Sequence, residues 1–242
     1  MNLKVLTYNV FGMPWGLKCI ESVLLWAFYK TDAEILCLQE LFSEAHKKKI
    51  KTICGKEDSF WTCWFPSCEA TLLSSMFESF ACPTGLCVLI KKHIQVTKPP
   101  VFQEFEAQAS IDKLVRKGFL HLSCEKEGRP FELFTTHFQS DFTEVCCRIS
   151  YQSTRIFQEM ELFHYAKQFP SPVIVGDFNM SRFYHFRIVN SNREPTFPQT
   201  GESLDHCISL QPVSFSCQSA TYYPTVTFSD HIPVLFSLFF HP

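Results

Sequence analysis

Apolar residues gather along this chain in short runs that alternate with polar ones. The runs "LKVLTYNVF", "AEILCLQE", "GLCVLIKK", "GFLHLSCE", "PFELFTTHF", "PVIVGDFN", "LDHCISL" and "IPVLFSLFF" are short enough for strands. Two stretches instead repeat at helical spacing. "CIESVLLWAFYKT" places Ile20, Val23, Leu24 and Phe28 on one face, and residues 146–169, "CCRISYQSTRIFQEMELFHYAKQF", do the same over a longer span. "SEAHKKKIKTIC" predicts a further helix. Strands and helices therefore interleave, which argues for layered α/β architecture rather than all-β. No repeat, low-complexity tract or Gly/Ser linker interrupts residues 1–242, so a single domain is expected. Residues 182–201, rich in Asn, Pro and Arg and weakly periodic, read as a loop.

Most strands end on a residue that disfavours strands. The first runs into Asn9, the second into Glu40, another into His137, and "SPVIVGDFNM" into Asp177 and Asn179. Asp205 opens "LDHC", and "SDHIPV" sets Asp230 and His231 just before the last strand. Each alone has an ordinary reading: Asx residues begin turns, a glutamate begins a helix, and a histidine is satisfied in a partly buried niche. Their recurrence at equivalent strand ends, where layered α/β proteins gather ligand sites, is explained most simply by one pocket. Carboxylates and amides are hard oxygen ligands suited to Mg²⁺. With an imidazole nearby they suit hydrolysis of a phosphate ester, in which charge develops on an in-line displacement. Gly176, just before Asp177, is expected to allow close backbone approach.

Composition narrows the partners. A net charge of -2 over 242 residues provides no global field to collect nucleic acid, and "HKKKIK" is the only dense basic run, expected as a solvated helix face. The 12 cysteines form no CxxC. Pairs such as Cys63/Cys68 and Cys82/Cys87 are too widely spaced for a typical zinc site, so reduced core thiols are expected. The opening "MNLKVLTYNVFGM" lacks a leader pattern and no apolar run reaches membrane-spanning length, which predicts a cytoplasmic protein, with peripheral membrane contact or signal-independent export left open. Most of the 26 phenylalanines should be core.

The ordered set of an Asn after the first strand, "LQE", "TH", "GDFN", "LD" and a terminal "SDH" resembles the endonuclease/exonuclease/phosphatase superfamily of Mg²⁺-dependent phosphoesterases. Within it, "YNVFGMPWG", "TGLCVLIKKHIQ", "RKGFLHLS" and "RIFQEMELFHYAK" resemble neutral sphingomyelinases, although Thr84 stands where Ser is usual. The resemblance implies a DNase-I-like four-layer α/β sandwich, two packed mixed sheets flanked by helices. It also implies that Glu40 binds Mg²⁺, or Mn²⁺ in its place, with Asn9 beside it and Asp230 supporting the metal shell. Asp177 would position or deprotonate the attacking water, His231 would lie beside the scissile phosphate oriented by Asp205, and Asn179 and His137 would hold phosphate oxygens. The implied substrate is a membrane phospholipid headgroup, sphingomyelin above all, cleaved by a monomer. A nuclease, an inositol-phosphate phosphatase and a catalytically silent binding module remain as alternatives. For a lipid substrate, Phe60, Trp61, Trp64 and Phe65 of "SFWTCWF" would form an apolar rim at the site, against the simpler reading of a core strand.

Overall fold

The structure, a computed structural model, describes residues 1–11, 19–66, 84–144, 147–189, 194–210 and 215–241. In chain order, the elements begin with β1 (Asn2–Asn9), α1 (Ile20–Lys30), β2 (Ile35–Gln39), α2 (Glu44–Cys54), β3 (Trp61–Trp64), β4 (Cys87–Lys91), β5 (Gln95–Val96) and β6 (Val101–Glu104). They continue with β7 (Gly118–Lys126), β8 (Arg129–His137), β9 (Phe142–Glu144), β10 (Cys147–Ile149), α3 (Gln152–Ala166), β11 (Pro172–Asp177), β12 (Arg187–Ile188), β13 (Asp205–Ser209), β14 (Phe215–Tyr222) and β15 (Val234–Phe240). Each of the apolar runs read from the sequence is a strand.

A six-stranded sheet has the order β14-β15-β1-β2-β4-β3, and a seven-stranded sheet the order β12-β13-β11-β8-β7-β5, with β6 also on β7. Both are mixed: β1 is parallel to β2 and β8 to β11, while the other pairings are antiparallel. The sheets face each other across a core that includes Val5, Ile35, Val88, Leu122, Leu133, Val175 and Phe236. Period-two alternation then hands the opposite strand faces to the helices. Leu6, Leu36 and Leu89 pack with Val23 and Ala27 of α1 and Ile50 of α2. On the other sheet, Phe119, Phe134 and Ile174 pack with Leu162 and Ala166 of α3. The result is the expected four-layer sandwich, each buried large apolar side chain contributing about 1.5–3 kcal/mol relative to exposure.

Two boundaries differ from the periodicity. The helix read over residues 146–169 begins only at Gln152, because β10 pairs back on β9 as a small antiparallel ribbon. Within the stretch read as loop, residues 187–188 add β12 to the edge of β13. Ser43 caps α2 by accepting from the His46 amide, and within that helix Lys49 pairs with Glu21 while Lys47 and Lys51 lie over the Phe65 ring, so the basic run is a helix face as expected. Cys37, Cys54, Cys87, Cys124 and Cys207 are buried free thiols; Cys68 and Cys82 lie outside the described residues. Among the described residues no helix is long and apolar enough to cross a membrane.

One buried histidine stands outside the strand-end pattern. His121 stacks on Phe134 at 4.3 Å and its Nε2 lies 2.7 Å from Glu132. Burial pushes its pKa below the ordinary histidine value, and Glu132 only partly opposes this. The unfolded chain therefore takes up this proton first as pH falls through about 6.5, and stability contributed above that pH is lost on further acidification through the folded pKa. Wild type is expected to lose more thermal stability between pH 7.5 and 5.5 than His121→Gln. Equal losses in thermal melts would exclude His121 as a contributor.

Candidate active site

The two parallel pairs end side by side, and their carboxyl ends carry the polar residues. Asn9 leaves β1 and Glu40 follows β2 on one sheet; His137 and Asp177 end the paired strands β8 and β11 on the other. Register sets Asp177 opposite His137 on one side and opposite Asp205 on the other. A chain that runs a buried strand straight into an acid thus delivers that acid to the seam between the sheets.

Asn9 joins the two halves. Its side-chain amide donates to Glu40 Oε1 at 3.1 Å and to Asp177 Oδ2 at 2.9 Å, and its carbonyl oxygen Oδ1 accepts from the Phe11 amide. Ser229 Oγ donates to the backbone oxygen of Asn9 at 2.7 Å, which anchors the Ser229–His231 segment to β1. From there His231 Nδ1 reaches Asp205 Oδ2 at 2.8 Å, and Nε2 faces Asp177 Oδ2 at 3.6 Å. Thr196 Oγ1 accepts the Asp205 amide, holding the start of β13. Ser229 Oγ is also 3.1 Å from Asp230 Oδ1, so Asp230 adjoins the cluster through the serine.

His137 lies deeper. Its Nε2 is 3.5 Å from Asp177 Oδ2 and 3.7 Å from Glu40 Oε1. Behind it stands Lys117, only 2% exposed, its Nζ 2.9 and 3.0 Å from the two ring nitrogens and donating to the Phe138 oxygen, with Asp112 at 3.6 Å. Asn179 turns its amide back to the same Phe138 oxygen at 3.1 Å while its backbone N–H donates to Asp177 Oδ1.

Electrostatics sort the group. Burial raises the pKa of Glu40, with Asp177 adding and Lys117 and Asn9 opposing. Burial likewise raises Asp177, and Asp205 adds to it. For His231 burial lowers the pKa, but Asp205 and Asp177 together outweigh it and carry it up to about 10, so the ring is an imidazolium at neutral pH. His137 is held well below the usual value by burial, Lys117 and His231, so it is neutral. The pocket pairs a carboxylate of raised basicity with a charged imidazole, a proton acceptor beside a proton donor.

The backbone is strained here. Glu40 and Asn179 adopt φ of 59° and 50°, and Phe11 45°. Gly85 holds φ 63° behind Glu40, where an added Cβ would meet the Phe42 ring at 2.6 Å. A hard divalent cation fits the donors present: Asp177, Asp205 and His231 offer ligand atoms within 4.8 Å of one another, Glu40 lies across Asn9, and the buried Asp205 Oδ1 has no hydrogen-bond partner.

The structure brings Asn9, Glu40, His137, Asp177, Asn179, Asp205 and His231 into one connected cluster, with Asp230 adjoining it through Ser229. Lys117, Asp112, Ser229 and Thr196 were missed. The "RKG" likeness pointed toward Lys117 and the "SDH" motif contains Ser229; Asp112 and Thr196 carry no signal short of the tertiary contacts. Of the aromatic rim weighed for a lipid substrate, Phe60 and Trp61 are not at the site. Trp61 pairs with Lys91 and Trp64 with Val88, while the amide of Leu41, next to Glu40, donates to the Gly85 oxygen just before β4. Phe60 and Trp61 therefore lie at the opposite end of the sheet. Trp61 stacks on Phe28, Trp64 packs on the inter-sheet core and Phe65 on the helix-side core. Trp61 is buried and Trp64 and Phe65 are partly buried, as the core reading of the stretch anticipated, while Phe60 is exposed.

No family profile matches the chain. It is 24% identical over 296 residues to a sphingomyelinase C of Leptospira interrogans, covering 97% of this chain and 51% of that protein, and 21% identical to a sphingomyelinase C of Listeria ivanovii, covering 93% and 66%. The chain spans about half the length of the Leptospira relatives it matches. Among solved structures, beta toxin from Staphylococcus aureus with bound magnesium ions superposes with TM-score 0.71 at 17% identity over the whole of both chains. D. rerio TDP2 complexed with a single-strand DNA product superposes equally well at 14% identity, covering 98% of each. The chain is thus similar to sphingomyelinase C proteins along nearly all its length and shares the DNase-I-like sandwich fold of beta toxin and TDP2.

Proposed function

We propose that the chain is a Mg²⁺-dependent phosphodiesterase that hydrolyses sphingomyelin to ceramide and phosphocholine. The observation that carries this reading is the single cluster in which Asn9 bridges Glu40 and Asp177 while Asp205 orients His231 toward the same carboxylate. Sphingomyelinase C relatives covering 93–97% of the chain support the choice of ester.

Glu40, with Asn9 beside it and Asp230 at the margin, would hold the cation; Asp177 and Asp205 are near enough to share it. A cation held there would supply positive charge to a phosphate oxygen and make a bound water more acidic. The chain's own residues do the rest. Asp177, more basic than an exposed aspartate, takes the proton of the attacking water, and Asn9 fixes the carboxylate's orientation. His231, charged and held by Asp205, directs Nε2–H to the phosphate, where negative charge grows. Neutral His137 and the Asn179 amide donate to the remaining phosphate oxygens, with Lys117 standing behind His137.

A panel of sphingomyelin, a lysophospholipid, plasmid DNA and an inositol phosphate tests the reading. Phosphocholine release from sphingomyelin is expected with Mg²⁺ and its loss with chelator. Cleavage of DNA alone would assign the site to a nuclease, and inertness on every ester together with no Mg²⁺ binding by calorimetry would assign it to a binding module. Monomeric behaviour, one domain over residues 1–242, peripheral membrane contact and a cytoplasmic setting belong to the same proposal.

A further inference from the structure

The stretch that does not reach the catalytic end lines a cleft at the other one. Between α1, the end of α2 and the β3–β4 edge lies a concavity of about 810 Å³, within the range of ligand pockets. Its floor is apolar: Leu24, Phe28, Ile53 and Trp61, with Phe28 and Trp61 stacked at 4.7 Å. Its mouth exposes what proteins usually cover, since Leu25 is 56%, Tyr29 77% and Phe60 78% exposed. The hydrogen bond from the Lys92 amide to the Phe60 oxygen ties the β4 turn to this mouth.

Charge at the lip is one-sided. Lys56, Lys91 and Lys92 border the cleft, and none of them takes part in an ion pair among the described residues. Lys91 lies 5.4 Å from the Trp61 ring centroid. Of the other charged lining groups, Glu21 is engaged by Lys49 at 2.7 Å and His93 by Glu34 at 2.8 Å, which leaves Asp58 against three lysines.

We propose that this cleft is a second binding site, for a single-chain anionic amphiphile: an alkyl or acyl chain laid on Phe28, Trp61 and Ile53, and a carboxylate or phosphate head held by Lys91 and Lys92. The apolar floor offers a polyanion's successive phosphates no partner, so a nucleic acid does not suit it. Phe60 at the mouth and Trp61 on the floor suit a chain entering lengthwise. The site is independent of the chemistry proposed for Asp177 and stands whatever ester that centre cleaves.

Binding is read by tryptophan fluorescence and calorimetry in excess chelator, so that no turnover intrudes. Oleate and monododecyl phosphate, each below its micelle concentration, distinguish a carboxylate head from a phosphate head; neutral monooleoylglycerol is the control. Saturable 1:1 binding of at least one anion is expected. Lys91→Glu/Lys92→Glu should weaken it at least about tenfold, which is 1.4 kcal/mol. Phe60→Ala should weaken the anion while leaving Mg²⁺-dependent turnover and the thermal midpoint unchanged. Equal binding of monooleoylglycerol, unaltered binding by the lysine variant, or no saturable binding would each overturn the proposal. Binding of an acidic, aromatic-rich peptide with neither amphiphile taken up would overturn it too, and would assign the cleft to a protein partner.

Discussion

His231→Ala is expected to lower kcat on the cleaved ester by about a thousand-fold or more, within the span that removal of an acid–base group and a charge-stabilising donor commands. Its far-UV circular dichroism should stay that of wild type. The imidazolium sits between Asp205 at 2.8 Å and Asp177 at 3.6 Å, where the proposed reaction places the phosphate against it. Its removal leaves two buried carboxylates adjacent, but one relieves the repulsion by taking up a proton, so the fold persists while the basic carboxylate is lost as well. Asp177→Asn keeps the shape and the Asn179 contact and should cost activity on the same scale. Because the two groups act as a unit, the double variant should fall little below either single one. Near wild-type kcat in either single variant would remove that residue from the chemistry.

Gly176→Ala is expected to destabilise the protein by about 3 kcal/mol, at the upper end for overpacking, and to lower the thermal midpoint by about 6–12 °C. An added Cβ would stand 2.1 Å from the Thr136 oxygen, which is backbone of the paired strand β8 and cannot swing away. The strands must separate by roughly an ångström or more to admit it. Since the next rung of the ladder is Asp177 opposite His137, the same separation pulls the two site residues apart, and kcat should fall even in the fraction that folds. A variant with unchanged midpoint and unchanged kcat would show that the close approach has no role in setting the site.

Much of this site was visible in the chain because strand ends are marked by chemistry. Asn9, Glu40, His137 and Asp177 each interrupt an apolar run, and a buried strand has few reasons to end on an acid unless the acid is used. Gly176 was readable for the same reason: a glycine inside a strand signals close backbone approach, here to Thr136. Helix limits were less legible. Apolar spacing continued upstream of Gln152, but pairing of β10 with β9 claimed Cys147–Ile149 for a strand. "SFWTCWF" misled at the site because its aromatics advertise burial or contact equally, and only the pairing of β3 with β4 puts Phe60 and Trp61 at the remote end.

The sequence by itself determined eight of the strands and the helices, which residues stand at the strand ends, and that a hard-ligand, proton-moving set was present. Those follow from local rules: period two, period 3.6, and the cost of polar groups inside strands. Tertiary structure alone decided that Asp205 lies beside Asp177, that Ser229 ties the last loop to Asn9, and that Lys117 stands behind His137 rather than in solvent. It also opened a lysine-lipped cleft far from the catalytic end. These are matters of which strands neighbour which and in what register, set by packing between residues 20 to 220 positions apart in the chain, and no local pattern encodes them.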